Sequence, residues 1–140
     1  TYHYYVHQHK DPFRRSYSCE LHYALDFNAM NRAAAMLLEH SDFAAFCKSH
    51  TDVKTTFCRV TEARWVNDGG RNWHFVITAD RFLRNMVRAV VGTLVDVGRG
   101  RISIDGFKSI IEGGCRSDAG ESMPACALFL EKIEYDGIKN

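Results

Sequence analysis

Apolar side chains recur at two spacings along this chain, and the spacing separates the predicted helices from the predicted strands. Apolar residues at every third or fourth position mark one face of a helix. The clearest such stripe contains Leu83, Met86, Val87, Val90, Leu94 and Val97. The spacing predicts helices over residues 26–38, 41–46, 81–97 and 104–112. Asp26 or Asn28 is expected to cap the first helix, and Gly98 to end the third.

Alternating apolar and polar residues predict strands over residues 1–8, 55–66, 72–79 and 125–135. The sequence Asn67-Asp68-Gly69-Gly70 predicts a hairpin between the second and third of these strands. Strands in hairpins with helices between them indicate an α+β fold, in which a mostly antiparallel sheet carries its helices on one face. No internal repeat or linker interrupts the sequence, so residues 1–140 are interpreted as a single domain.

Arg88 lies within the otherwise apolar stretch of the third predicted helix. Its guanidinium cannot lose its charge, so partial burial would require a carboxylate or a phosphate nearby. Alternatively, the side chain could pack its stem and extend its head to water. Gly92 follows one turn later, and glycine inside a helix costs about 1 kcal/mol relative to alanine. We therefore expect another part of the molecule, or a ligand, to approach the helix beside Arg88.

Composition narrows the function classes. The chain has 140 residues, 46% of them hydrophobic, which is enough for one domain with a real core. A net charge of +1 gives no global field for nucleic acid, so any such binding needs a local patch. Five widely spaced cysteines without a Cys-x-x-Cys pair predict neither a disulfide framework nor a zinc site, and they fit a reducing, cytoplasmic location. No apolar stretch is long enough to cross a bilayer, so no membrane contact is expected.

The sequence offers few residues for chemistry by themselves. His3, His7 and His9 could bind a metal ion from one strand face, but no further ligand follows at a short interval, so no metal is predicted. A phosphate-binding loop, a nucleophilic-serine motif and a carboxylate pair for acid–base catalysis are also missing from the sequence. A stand-alone hydrolase is therefore not indicated.

The basic residues are more suggestive. Arg81, Arg84 and Arg88 are spaced by three and four positions, so they are predicted to share one helix face. Further cations fall among aromatic residues, in a mixture that suits a phosphate backbone and unstacked bases. These cations are Lys10, Arg14, Arg15, Lys48, Lys54 and Arg59. A solvated surface with ordinary packing aromatics is the alternative interpretation.

Five segments resemble, in order, the motifs of the tRNA pseudouridine synthase A family, and together they cover nearly the whole chain. The most specific is residues 82–92, which are similar to the pattern Phe-x-x-x-Met-Val-Arg-x-x-Val-Gly. Ala127 departs from the family pattern, which usually has glycine there. The other four segments are Thr1-Tyr2-His3-Tyr4, Ser41-Asp42-Phe43-Ala44-Ala45-Phe46, Lys54-Thr55 and Pro124-Ala125-Cys126-Ala127-Leu128-Phe129-Leu130.

The resemblance implies an activity and a set of residues. Enzymes of this family isomerise uridine to pseudouridine in the tRNA anticodon stem-loop, using a catalytic aspartate and no cofactor or metal. In this sequence the matching catalytic residues are Tyr2 and Arg88, and Arg88 would pair with the aspartate. Leu128 and Phe82 would line the substrate pocket. The implied RNA-binding residues are Lys48, Lys54, Arg59, Arg81 and Arg84.

The family's catalytic aspartate belongs to an Arg-Thr-Asp motif in the N-terminal half of the enzyme, and residues 1–140 do not contain it. Together with a strand-forming first segment, this indicates the C-terminal half of a longer enzyme, which the resemblance implies to be a dimer. The implied partners are tRNA, the missing N-terminal half and a second copy of the enzyme, and the half alone is expected to be inactive. A non-catalytic RNA-binding module and a plain interaction domain are the alternatives.

Two geometric expectations follow from the resemblance. Arg88 and Tyr2 should open onto one shared concave surface. Because the other half is missing, the cleft is expected on the sheet face opposite the helices, with Tyr2, Tyr4 and Leu128 exposed there.

Overall fold

Pairs of strands are separated by helices along the chain, as the spacing of apolar residues predicts. The computed structural model describes residues 1–11, 13, 17–48 and 55–131. The strands are β1 (Tyr2–His7), β2 (Cys19–Glu20), β3 (Val60–Gly69), β4 (Asn72–Ala79) and β5 (Leu128–Leu130). The helices are α1 (Phe27–Ala35), α2 (Met86–Gly98) and α3 (Ile104–Gly113). Short 3₁₀ turns cover Met36–Glu39, Ala44–Phe46, Arg116–Asp118 and Ala125–Ala127.

Strand β1 is the centre of the sheet. β4 runs antiparallel along one edge of it, from Tyr2 opposite Ile77 to His7 opposite Asn72. The other edge is shared, because β5 pairs antiparallel with the start of β1 and β2 pairs parallel with its end. β3 completes the sheet on the far side of β4. Among the described strands, every pairing except that of β2 is antiparallel, which confirms the predicted fold class.

The helices cover one face of the sheet. On this face Tyr4 of β1 and Phe75 of β4 lie opposite each other and are fully buried. The Phe27 ring of α1 stacks on Trp73 of β4, with the ring centroids 3.8 Å apart. Helix α2 contributes its valines and Leu94 to the same core. The opposite face of the sheet carries mainly polar side chains, among them His3, Glu62, Arg64, His74 and Thr78.

A side chain of α1 supplies hydrogen bonds to β3, the edge strand of the described sheet. The Oδ1 atom of Asn31 accepts a hydrogen bond from the backbone N–H of Trp65 at 2.6 Å, and its Nδ2 donates to the Trp65 carbonyl at 3.5 Å. The amide thus stands where a neighbouring strand would supply a donor and an acceptor. This pair of bonds ties α1 to the sheet.

Helix α2, which the sequence predicts over residues 81–97, begins at Met86 and does not end with a glycine cap. Asn85 has a φ of 66°, in the left-handed region, so the backbone before Met86 leaves the helical path. Gly98 is helical and buried, and a Cβ atom there would lie 2.4 Å from the Met30 sulfur. Gly98 therefore lets α1 approach α2 closely.

The other helix and strand boundaries lie closer to the predicted ones. Asp26 caps α1, since its Oδ1 accepts from the Ala29 N–H at 3.1 Å, and the predicted helix continues as the turn Met36–Glu39. The predicted strand over residues 55–66 begins at Val60. Of the strand predicted over residues 125–135, the structure confirms only Leu128–Leu130 as β5. Ala125–Ala127 form a 3₁₀ turn instead, and residues 132–140 lie outside the described residues. None of the described helices has the length and apolar character needed to span a membrane.

Replacing Asn31 by alanine should lower the free energy of unfolding by about 1–3 kcal/mol, because the Trp65 N–H would lose its partner in a partly buried position. Asn28 is exposed on the same helix, so Asn28→Ala is the matched control and should change stability by less than about 0.5 kcal/mol. Urea unfolding of both variants measures the difference. A loss at Asn31 no larger than that at Asn28 would contradict the stabilising role of the bonds to β3.

Candidate active site

A small cavity lies where β1, β5 and the start of α2 meet. Its volume is about 90 Å³. The cavity contains all four residues predicted for the catalytic and substrate-binding positions, although they come from distant parts of the sequence. Its lining consists of Tyr2, Phe82, Leu83, Asn85, Met86, Val87, Arg88 and Leu128.

Strand pairing places the aromatic and aliphatic walls of this cavity. Tyr4 and Leu128 are register partners in the β1–β5 ladder, so Tyr2 and Leu128 project from the same face of the sheet. The Tyr2 ring meets the Phe82 ring edge to face, with centroids 4.9 Å apart and an interplanar angle of 88°. This geometry is favourable for an aromatic pair and fixes both rings.

The expectation that the cleft lies on the sheet face opposite the helices is wrong. Tyr2 and Leu128 face α2, on the helix-covered side, and both are partly buried. Tyr4 is fully buried, and its hydroxyl donates to the Pro124 carbonyl oxygen at 2.7 Å. Burial raises the pKa of Tyr4 above its ordinary value, so this hydroxyl keeps its proton and its bond to Pro124.

Arg88 forms the polar wall of the cavity. Its side chain is partly buried, and its Nε donates to the Met123 carbonyl oxygen at 2.6 Å. Within the described ranges, no carboxylate oxygen lies within 4.0 Å of the guanidinium, and Nη1 and Nη2 make no hydrogen bond to protein. The four N–H groups of these two terminal nitrogens are therefore available to an anion at the cavity.

Residues 119–124 run across α2 beside Arg88, and we call them the crossing segment. A Cβ atom at Gly92 would lie 1.8 Å from the Glu121 carbonyl oxygen, so glycine is required for this approach. The Gly120 N–H donates to Thr93 Oγ1 at 2.9 Å, and the Met123 N–H donates to the Arg88 carbonyl at 3.1 Å. The expected close approach to α2 is thus made by the protein's own backbone.

Four of the five predicted RNA-binding residues are exposed around residues 80–84, which lead into the cavity. We call them the basic rim: Lys48, Arg59, Arg81 and Arg84. The backbone N–H of Lys48 donates to the Arg84 carbonyl at 3.2 Å, and that of Arg59 donates to Asp80 Oδ1 at 2.8 Å. Arg81 Nη1 donates to the Thr55 carbonyl at 3.3 Å.

The predicted arginine stripe on one helix face is wrong, because Arg81 and Arg84 precede α2 and Arg88 alone of the three is helical. The left-handed turn at Asn85 separates them, so the two outer arginines lie on the rim while Arg88 lies at the cavity. Lys54, the fifth predicted RNA-binding residue, lies outside the described residues.

Asn85 is a cavity residue that the sequence pattern did not reveal. Its Nδ2 donates to Ser122 Oγ of the crossing segment. Among the described residues, Asn85 is the single non-glycine residue with a positive φ. Asparagine tolerates this conformation better than most residues, which is a weak signal in a stretch of helical spacing. The helical spacing of apolar residues over 81–97 predicts an uninterrupted helix there, so it gives no sign of the turn at Asn85.

A second, wider cavity of about 670 Å³ lies on the polar sheet face. His3 stacks on His74 there with ring centroids 4.7 Å apart, and His74 lies 2.7 Å from Asp68. Burial lowers the pKa of His3, and neighbouring His74 adds to this effect, so His3 contributes little positive charge at neutral pH. With Glu62 and Glu131 also lining it, this face does not suit a phosphate backbone.

Comparison with known proteins gives the family. The family model described as tRNA pseudouridine synthase matches residues 33–136. The chain belongs to this family. The match includes Phe82, Arg88 and Leu128 of the cavity, whereas Tyr2 precedes it.

Three bacterial relatives illustrate how much of the enzyme this chain represents. It is 53% identical over 135 residues to tRNA pseudouridine synthase A of Bacteroides fragilis, covering 96% of this chain and 54% of the relative. The corresponding protein of Porphyromonas gingivalis is 55% identical over 136 residues, with coverage of 96% and 54%. That of Bacillus subtilis is 36% identical over 132 residues, with coverage of 94% and 53%. The chain therefore spans about half the length of the curated relatives it matches.

Replacing Gly92 by alanine should destabilise the protein by about 1–3 kcal/mol, because the new methyl group must displace the crossing segment. The matched control is Gly113→Ala at the end of α3, where no atom lies within 4 Å of an added Cβ. That control should be neutral or stabilising by up to about 1 kcal/mol. A neutral Gly92→Ala in thermal unfolding would show that the crossing segment does not lie against α2.

Proposed function

We propose that this chain supplies one wall of the uridine-binding site of a tRNA pseudouridine synthase, which isomerises uridine to pseudouridine in the anticodon stem-loop. The observation that carries the proposal is the meeting of Tyr2, Phe82, Arg88 and Leu128 at one cavity. Family membership supports the reaction type, and the resemblance of the five motifs supports the assignment of these residues.

In this proposal Arg88 holds the catalytic aspartate, which comes from the half of the enzyme outside this chain. A guanidinium within about 4–6 Å lowers the pKa of a carboxyl group by roughly 1–3 units, which keeps the aspartate ionised and ready to attack. The terminal nitrogens of Arg88 are suited to this task, since they have no carboxylate partner among the described residues. The planar fork also orients the carboxylate.

The other cavity residues would hold the base. The target uridine has to leave its stack to reach a pocket of this kind. Leu128 would pack against the uracil, with the fixed Phe82 ring beside it. The aspartate would promote cleavage of the C1′–N1 glycosidic bond, and the base would rotate. A new C1′–C5 bond would then form, C5 would lose its proton and N1 would gain one. Tyr2 would stack on the base or assist that proton removal.

The basic rim would bind the tRNA backbone around the cavity. Its side chains are exposed, and aromatic Phe57, 56% exposed, lies among them. Cations next to an exposed ring suit phosphates and unstacked bases. The same observation favours a second candidate function, a non-catalytic RNA-binding module, because the rim needs no nucleophile to bind RNA.

We further propose that the complete enzyme works in the cytoplasm, on tRNA, as a homodimer. Phe129 and Leu130 of β5 are 38% and 49% exposed, which offers apolar surface for a second subunit or for the missing half. Sedimentation of the complete enzyme measures its mass directly, and a monomer at working concentration would exclude the homodimer.

The activity can be tested in a chimaera in which this chain replaces the segment that it matches in the Bacteroides fragilis relative. We expect the chimaera to release tritium from tRNA labelled at the uridine carbon that gains the new bond, and we expect none from the chain alone. Arg88→Ala should slow the chimaera by about 10²–10³-fold, as losing a preorganised charge partner does. Arg88→Lys should recover only part of the rate, since an ammonium lacks the planar fork.

Two results would contradict these expectations. Turnover by the chain alone would place the nucleophile inside residues 1–140. A chimaera that binds tRNA but never releases tritium would favour the non-catalytic RNA-binding module.

A separate prediction concerns the binding of tRNA by the basic rim. Arg84→Ala in the chimaera should reduce the slope of log affinity against log salt concentration by about one, because one phosphate contact is lost. Arg32→Ala removes the same charge from an exposed position on α1, which contributes no residue to the basic rim, and should leave the slope unchanged. Filter binding over a salt series measures both, and identical slopes for the two variants would remove Arg84 from the RNA surface.

A further inference from the structure

Arg116 lies outside the cavity and binds the crossing segment at two points. Its Nη1 donates to the Gly120 carbonyl oxygen at 2.9 Å, and its Nη2 donates to Ser122 Oγ at 2.8 Å. A guanidinium presents its donors in a rigid plane, so these bonds fix the distance between Gly120 and Ser122. Gly120 would otherwise give this segment more conformational freedom than any other residue.

The crossing segment in turn holds two cavity residues. Ser122 Oγ accepts from Asn85 Nδ2, and the neighbouring Met123 carbonyl accepts from Arg88 Nε at 2.6 Å. The Met123 N–H returns a bond to the Arg88 carbonyl at 3.1 Å. A continuous path of hydrogen bonds and backbone therefore runs from Arg116, through Ser122 and Met123, to Arg88.

We propose that Arg116 is a positioning residue for the reaction, which acts by fixing the direction of the Arg88 guanidinium; this inference rests on the function proposed above. The bond to Met123 is the one hydrogen bond that the Arg88 side chain makes within the described ranges. The place of the Met123 carbonyl therefore sets where Nη1 and Nη2 point. A displacement of about 1 Å at a catalytic group can cost about 10²-fold in rate.

A direct contact between Arg116 and RNA is the competing explanation, and its consequences differ. Both terminal nitrogens of Arg116 already donate to the crossing segment. Loss of an RNA phosphate contact would raise KM and leave kcat unchanged, whereas loss of positioning lowers kcat. Charge also separates the two, because lysine keeps the charge but cannot span Gly120 and Ser122 as a fork.

The test uses the chimaera with the Bacteroides fragilis relative and measures kcat and KM on tRNA. Arg116→Ala should lower kcat by about 10–100-fold with KM nearly unchanged, and Arg116→Lys should not restore it. Lysine at position 88 cannot donate through an Nε–H to Met123, so in the Arg88→Lys background Arg116→Ala should cost less than about twofold. The control is Arg64→Ala, which removes a guanidinium bound to Glu62 on the polar sheet face and should change neither constant.

The NMR signal of the Arg88 Nε–H group, identified by its loss in Arg88→Lys, gives a readout that needs no activity. It should shift in Arg116→Ala and stay in place in Arg64→Ala. An unchanged signal, a rise in KM alone, or a full additional loss of kcat in the Arg88→Lys background would each overturn the role of Arg116. An inactive unmodified chimaera would instead contradict the proposed function, and the NMR comparison would still decide whether Arg116 positions Arg88.

Discussion

The Nε–H group of Arg88 donates to the Met123 carbonyl oxygen across 2.6 Å, and the cavity depends on that bond. It holds a permanently charged side chain of α2 at the cavity. The bond is possible because Gly92 lets the backbone of the crossing segment reach the helix surface. The guanidinium is partly buried and has no carboxylate partner among the described residues, which supports the proposal that the cavity binds an anion.

Strand pairing brings the other walls of the cavity to Arg88. Tyr2 and Leu128 are at nearly opposite ends of the chain, yet the β1–β5 ladder places them on one face. Phe82 follows β4 and meets Tyr2 edge to face. The sheet thus converts separate segments into one site at its helix-covered edge. The polar face of the sheet, with its carboxylates and histidines, contributes no residue to the cavity.

The helices and strands could be predicted from the periodic spacing of apolar residues, but the site residues could be predicted only from the motif resemblance. Alternation and helical spacing found the central elements, because burial imposes those periods. Neither pattern reports a backbone turn such as that of Asn85, so helical spacing predicts a helix that includes residues 81–85 and places the arginines on one face. The spacing predicts a cap at Gly98 because it cannot show the neighbouring Met30. The cavity residues came from motif resemblance, which carries three-dimensional information that single residues lack.

The central claim is that Arg88 awaits a carboxylate from the other half of the enzyme. A crystal structure of the chimaera with the Bacteroides fragilis half tests this most directly. The account predicts an aspartate oxygen of that half within about 4–6 Å of Arg88 Nη1 or Nη2, inside the cavity bordered by Tyr2 and Leu128. Finding Arg88 paired with a carboxylate of this chain, or finding no aspartate near the cavity, would contradict it.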